Sequence, residues 1–263
     1  MVPDNEVGNA VDTVVSASTI SPVRIVALTA PFSWLKRGWV DLWRKPVASL
    51  FYGFAVALAG AVILAATLRL PYLFTAAITG FLLVGPMLAA GLYELSRCYH
   101  ADEPPSLRES MLAWRRNPSG LIGFGLLSLL AGTLWQMISM MLVTLFYKGD
   151  ALAPMALVLE VMLNPRYLLL FVAYLGAGGL IAALVFAASV VSMPMLVDRR
   201  CDLLKAITTS FHAVAENPLP LALWATIIMV LTAIGFATAL IGLILILPLL
   251  GHASFHAYKD LVV

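Results

Sequence analysis

NPLPLALWATIIMVLTAIGFATALIGLILILPLLGHASFHAY, residues 217–258, runs 42 residues without Asp, Glu, Lys or Arg. As a single α-helix it would extend about 63 Å, twice the roughly 30 Å of a bilayer's hydrocarbon core. It therefore has to fold back on itself, and the segment from Gly235 to Gly242 is the expected place for the turn.

Shorter uncharged runs upstream measure the same way. Between Lys45 and Arg69 lie 23 uncharged residues, and between Arg69 and Glu94 lie 24, with Pro71 marking a tight turn. From Asn117 to Tyr147 there are 31, and from Tyr167 to Val197 another 31. Each is long enough to cross lipid, which cannot satisfy an exposed backbone. The reading is all-α: a polytopic membrane helix bundle of six transmembrane helices in three hairpins. A short interfacial helix is expected over residues 148–166, from Met155, Leu159 and Met162.

Composition agrees. Apolar residues make up 62% and charged residues 11% of the chain, against roughly 45–50% and about 25% in soluble domains. A net charge of +2, scattered between apolar runs, excludes a nucleic-acid footprint. Cys98 and Cys201 stand alone, without metal or redox spacing. Residues 1–31, with Asp4, Glu6 and Asp12 and no apolar run, read as a disordered cytoplasmic tail, and residues 32–263 as the six-span domain.

Orientation follows from the distribution of cations. Of 16 Lys and Arg, 13 fall on one side of the proposed spans, and only Arg69, Lys148 and Arg166 on the other. The crowded side is expected to face the cytoplasm and to hold both termini.

Each hairpin is preceded by an amphipathic stretch ending in proline: Leu35 to Pro46, Leu107 to Pro118 and Ile207 to Pro218, each spaced by 11 residues. Trp39, Met111 and Phe211 correspond, as do Gly38, Ser110 and Ser210, and Leu42, Trp114 and Val214. Such helices are expected in the cytoplasmic headgroup layer, which suits Trp39, Trp43 and Trp114 with Arg115 and Arg116 beside them. The closing proline fits the first turn of the next span, where its missing N–H costs little. A second element recurs in each hairpin. Pro86, Pro194 and Pro248 are each followed 11 positions later by a cation, Arg97, Lys205 and Lys259. A proline inside a span kinks it and frees the carbonyl four residues earlier, here Leu82, Val190 and Ile244. Three internal repeats, about 34–97, 106–200 and 206–260, are therefore expected, and the kinks could line a central cavity.

Four segments resemble a bacterial family of predicted integral membrane proteins catalogued as domain of unknown function 2189: VGPMLAAGLYELSR (Val84 to Arg97), SLRESMLAWRRNP (Ser106 to Pro118), SVVSMPMLVDR (Ser189 to Arg199) and GHASFHAYKDLV (Gly251 to Val262). The resemblance spans about residues 32–262 and implies a compact multi-span protein of the bacterial inner (cytoplasmic) membrane, without implying an activity or a cofactor. Some relatives carry a label linking them to cytochrome c oxidase subunit I. Four histidines in the whole chain are too few for that subunit's haems and copper.

The candidate chemistry is sparse. His252 and His256 share a helix face and are the weak metal or haem candidates, although histidines beside Tyr258 and Lys259 are expected as headgroup or helix-terminus contacts. Glu94 is expected to pair with Arg97 at the cytoplasmic boundary, and no ionisable residue falls at mid-depth of a span. Gln136, Thr133, Ser139, Ser189 and Ser192 are expected to hydrogen-bond between helices, and Gly176 to Gly179 to permit close packing. No Walker, Rossmann, zinc-protease or nucleophile-elbow motif occurs. The expectation is a non-enzymatic membrane component without a cofactor that contacts membrane lipid or another inner-membrane protein complex. The alternatives are a carrier or channel for a neutral or apolar solute and, more weakly, an accessory protein of a respiratory oxidase.

Overall fold

The computed structural model of the protein describes residues 20–69, 73–149 and 160–263, with the backbone alone over 67–69 and 73–86. Its helices are α1 (Ala30–Arg44), α2 (Pro46–Arg69), α3 (Leu73–His100), α4 (Leu107–Met111), α5 (Pro118–Phe146), α6 (Leu168–Ser189), α7 (Ser192–Asp198), α8 (Leu203–Glu216), α9 (Pro218–Ala237) and α10 (Leu243–Leu261). Short 3₁₀ turns, Ala113–Arg116 and Pro165–Tyr167, precede α5 and α6. The described residues contain no strand, only an isolated bridge between Val23 and Val262. Among the described residues, four stretches are long and apolar enough to cross a membrane: Pro46–Ala66, Pro118–Phe146, Pro165–Asp198 and Pro218–Ala237.

Pro46, Pro118 and Pro218 each stand at the first position of a long helix, where proline's fixed φ suits the first turn. The residue before each proline ties the chain to the backbone leading into another element. Lys45 Nζ donates to the Pro105 carbonyl (2.7 Å), Asn117 Nδ2 to Cys201 (2.8 Å) and Asn217 Nδ2 to Arg24 (3.0 Å). Pro105 lies ahead of α4, Cys201 ahead of α8 and Arg24 ahead of α1, so the three ties close a ring.

The chain folds back between α9 and α10 over Thr238 to Gly242, inside the expected interval, with Ala239 (φ 52°) and Leu240 (φ 71°) left-handed. The Thr238 hydroxyl accepts from Gly242 N and donates to the Ile234 and Gly235 carbonyls, which satisfies the open helix end. The expected interfacial helix at 148–166 falls partly outside the described residues; positions 160–163 are helical.

Pro194 produces a break rather than a smooth kink. α6 ends at Ser189 and α7 starts at Ser192. In the interrupted turn, the Ser210 hydroxyl of α8 donates to the Ala187 carbonyl (2.6 Å) and accepts from Val191 N (3.1 Å). These are the two groups a continuous helix would have joined to each other, so the side chain substitutes for the lost bond. Pro248 lies inside α10, and the Ile244 carbonyl it frees packs on the bare Cα of Gly53, where an added Cβ would lie 2.1 Å away. That carbonyl faces the α2 backbone and not a cavity, which departs from the expected lining. Pro194 and Pro248 are buried; the side chain of Pro86 lies outside those described.

Residues 20–31 of the expected tail are instead tied into the fold. Residues 1–19 lie outside the described residues, but from Ile20 the chain is held: Ser21 N donates to Thr209 Oγ1, Arg24 N to the Leu261 carbonyl and Val26 N to Asn217 Oδ1, while Val263 N donates to Pro22. The partners come from α8 and the C-terminal segment, which no local reading of residues 20–31 could supply.

The core collects at the end of the molecule where α1, α4 and α8 lie. Trp34 of α1 and Trp224 of α9, both fully buried, meet edge to face at 5.7 Å among Val191, Leu196, Phe255 and Tyr258. Beyond this zone α5, α6 and α9 present Leu130, Met140, Leu169, Leu180 and Met229 outward, each more than 60% exposed. Apolar surface on that scale calls for an apolar solvent.

Candidate functional site

Two buried polar clusters occupy the packed end. The first is centred on Glu94 of α3, whose side chain is 4% exposed. Arg97, one turn along, donates to it from Nε (2.9 Å) and Nη2 (3.0 Å), and Arg116 approaches from the 3₁₀ turn before α5 (2.7 Å). The expected pair with Arg97 is therefore present, with a second guanidinium that local spacing does not reveal. Arg97 also pairs with the exposed Glu103. A 310 Å³ cavity is lined here by Glu94, Arg97, Cys98, Glu103, Glu109 and Arg116.

The second cluster is a chain of six side chains from four helices. Ser49 Oγ of α2 contacts His252 Nε2 of α10 (2.9 Å), and His252 Nδ1 contacts Ser96 Oγ of α3 (2.7 Å). Ser96 donates to Asp41 Oδ2 of α1 (3.2 Å), which also meets His256 Nε2 (2.8 Å). His256 Nδ1 then meets His100 Nε2 (3.2 Å). Ser49, Ser96 and His252 are fully buried, Asp41 is 3% and His256 5% exposed, and His100 opens to the surface.

Hydrogen-bond valence orders the protons along this chain. An ionised Asp41 only accepts, so Ser96 spends its one hydrogen there and accepts from His252 Nδ1–H. His252 Nε2 is then an acceptor, and Ser49 donates to it. On the other side, His256 donates from Nε2 to Asp41, leaving Nδ1 to accept from His100 Nε2–H. Burial by itself would raise the Asp41 carboxyl, but the hydrogen bond from His256 and the fields of His256, His252 and Arg44 outweigh it and hold Asp41 below its ordinary value.

The histidines expected as headgroup contacts are therefore interior. All four ring nitrogens of His252 and His256 are engaged within the protein, because Ser49, Ser96, Asp41 and His100 converge on them from other helices. Among the described residues no three His, Cys, Asp or Glu side chains come together as a metal-binding group. Asp41 escaped sequence reasoning because one acid on an amphipathic helix reads as part of its wet face. The signal was present in the proline spacing: five residues before Pro46, Pro118 and Pro218 stand Asp41, Ala113 and Ala213. All three are buried, so an acid occupies a position that is alanine in the other two segments.

The remaining expected residues fall as follows. Trp39 and Trp43 are exposed and stack edge to face at 5.6 Å, while Trp114 is half-buried beneath the Arg115 guanidinium. Lys259 Nζ pairs with Asp198 Oδ2 (2.7 Å), and Lys205 is half-buried. Of the polar residues expected between helices, Ser139 does bond Tyr174 of α6 (2.8 Å). Thr133, Ser189 and Ser192 instead return to carbonyls of their own segment, and Gln136 is exposed. Within Gly176 to Gly179, Gly178 meets Trp135, whereas nothing lies within 4 Å of a Cβ at Gly176 or Gly179. An apolar crevice of 190 Å³ between α2, α3, α9 and α10 is lined by Val56, Leu92, Tyr93, Ile228, Leu247 and Leu250.

Comparison with known proteins is consistent with a helical membrane protein. No curated protein and no solved structure matches the chain. Two of the four segments whose resemblance was noted lie wholly within one family match, Ser189 to Arg199 runs one residue past its end, and Gly251 to Val262 lies beyond it. Over residues 73–198, from α3 through α7, the chain matches the family described as predicted integral membrane protein (DUF2189).

Proposed function

We propose that the protein is a six-span, non-catalytic component of a bacterial inner membrane, with both termini cytoplasmic. In this reading it works by presenting α1, the α4 segment and α8 to membrane lipid or to another membrane complex. One observation carries it: three segments that share a proline spacing also share a pattern of exposure. Seven residues before the proline, Trp39, Met111 and Phe211 are 44%, 52% and 42% exposed, whereas their immediate neighbours Gly38, Ser110 and Ser210 are buried. A large apolar side chain turned outward at the same place three times suits a headgroup boundary, where an apolar body meets a wet, charged surface.

The same pattern supports the internal threefold repeat, as do the ring of ties from Lys45, Asn117 and Asn217. In this reading α3 and α10 complete the second arms of the outer hairpins. The solute-carrier alternative gains less, because the Ile244 carbonyl is taken up by Gly53 and no cavity described above includes Pro194 or Pro248 in its lining.

Depth-dependent fluorescence quenching in nanodiscs tests the reading, with Trp39→Phe and Trp43→Phe variants to assign the signals. Lipids brominated near the headgroup should quench Trp39 and Trp43 and leave the interior Trp34 and Trp224 bright. Quenching of Trp39 and Trp43 by aqueous iodide, with none by brominated lipid, would reject it.

A further inference from the structure

The six-residue chain has one property that structural support alone does not require: among the described residues, its buried part ends at the surface on His100, a group that can accept a proton, whereas Arg44, the other exposed contact of Asp41, cannot. We propose that Ser49, His252, Ser96, Asp41, His256 and His100 form a one-proton site, filled through His100, that converts the Asp41–His256 bond between α1 and α10 into a charge pair.

The proton order derived above makes the uptake specific. With Asp41 ionised and both histidines of the outer pair neutral, His100 carries its hydrogen on Nε2, and its Nδ1 lone pair is the free acceptor of the pair. A proton added at His100 Nδ1 lets the Nε2 proton pass 3.2 Å to His256 Nδ1. His256 becomes the imidazolium against Asp41, 2.8 Å away, and His100 ends neutral with its tautomer reversed. Only N–H bonds are exchanged, no hydrogen bond of the chain is lost, and the buried carboxylate gains a full counter-charge. A second proton has no such place, since it would set two N–H groups against each other between His100 and His256.

His252 is built to stay out of this exchange. Both of its neighbours are hydroxyls already committed in direction, so charging it would force the Ser49 bond to reverse, at full burial. The groups around the active pair come from four helices. α1 supplies Asp41 and Arg37, with Arg44 behind Asp41 at 3.7 Å; α10 supplies His252, Lys259 and Asp260; and α3 supplies Tyr99 beside Asp41. α2 contributes the Ser49 hydroxyl. Cations and anions are mixed around the pair, so what singles out His256 as the resting place is its direct contact with Asp41.

Imidazole is the side chain whose charge changes nearest neutral pH, and burial together with the neighbouring His256 holds His100 below its ordinary value, so the site fills on acidification. This inference depends on the hydrogen-bonded chain and not on lipid contact at Trp39, so either can fail alone. With four histidines in the protein, ring ¹⁵N spectra of histidine-labelled protein in nanodiscs are assignable using His100→Gln, His212→Gln and His252→Gln. At high pH, His256 should be the Nε2–H tautomer and His252 the Nδ1–H tautomer. On acidification His100 and His256 should shift together in a single one-proton step while His252 stays neutral. Asp41→Asn should move that step down by about 1–3 pH units, the range an adjacent opposite charge commands. His256 should keep its tautomer in His100→Gln, which tests the order even if Asp41→Asn does not fold. Independent titration of His100 and His256, charging of His252 in the same step, or an Nδ1–H His256 at high pH would overturn the proposal.

Discussion

Glu94 and Asp41 are both buried carboxylates, but their neutralising partners differ, and so do the expected costs of losing them. Glu94 is held by two guanidiniums that cannot shed their charge, so Glu94→Ala leaves Arg97, 12% exposed, with only the exposed Glu103 as its counter-charge. Removing one member of a buried pair costs on the order of 3 kcal/mol. Arg116→Ala should cost under about 1 kcal/mol, because that side chain is 43% exposed. Thermal unfolding in detergent checks both, and equal shifts would show that Glu94 is not the hub. Glycine substitutions divide in the same manner. Gly53→Ala has to displace the Ile244 backbone and should unfold the α2–α10 contact. Gly176→Ala meets open space and should be neutral or stabilising by up to about 1 kcal/mol from helix propensity.

Among the elements, the dependence of α6–α7 on α8 is the sharpest case. Ser210→Ala removes the hydroxyl that substitutes for a helix hydrogen bond and leaves Ala187 O and Val191 N unsatisfied in a buried site. The expected loss is about 1–3 kcal/mol in thermal unfolding, and Ser210→Thr should recover part of it. α1 is fastened by Asp260, which accepts from Trp34 Nε1 (2.9 Å) and Arg37 Nη1 (3.1 Å). Burial pushes the Asp260 carboxyl up, but the bonds from Arg37 and Trp34 outweigh it and hold the group below its ordinary value. A depressed carboxyl contributes its stability above its unfolded value, about 3.9, and loses it as pH falls through the folded one. The α1 clasp should thus be intact at pH 5 and fail only in stronger acid, read by amide hydrogen exchange along α1. Asp260→Asn should abolish that acid step.

At the scale of the whole molecule, the all-helical class, the long apolar helices and the fold-back at Thr238 to Gly242 were legible because each follows from a one-dimensional count of uncharged residues against bilayer thickness. The prolines that open α2, α5 and α9 were legible for a similarly local reason. The histidine chain was not: His256 and Asp41 are 215 positions apart, and no periodicity within α10 points to α1. The described core explains the contrast. Packing is tight where α1, α4 and α8 meet the helix ends, and there partners come from anywhere in the chain. Along the outer lengths of α5, α6 and α9 the side chains face outward, so composition alone decides their surroundings. The proposed topology has an even number of spans, a polar packed end bearing the cations, and an opposite end with few of them. Reporter fusions at the N-terminus, at the C-terminus and in the turn at residues 238–242 test it most directly. Both termini are expected in the cytoplasm and the turn on the other side; termini on opposite faces, or a turn sharing their face, would contradict this topology.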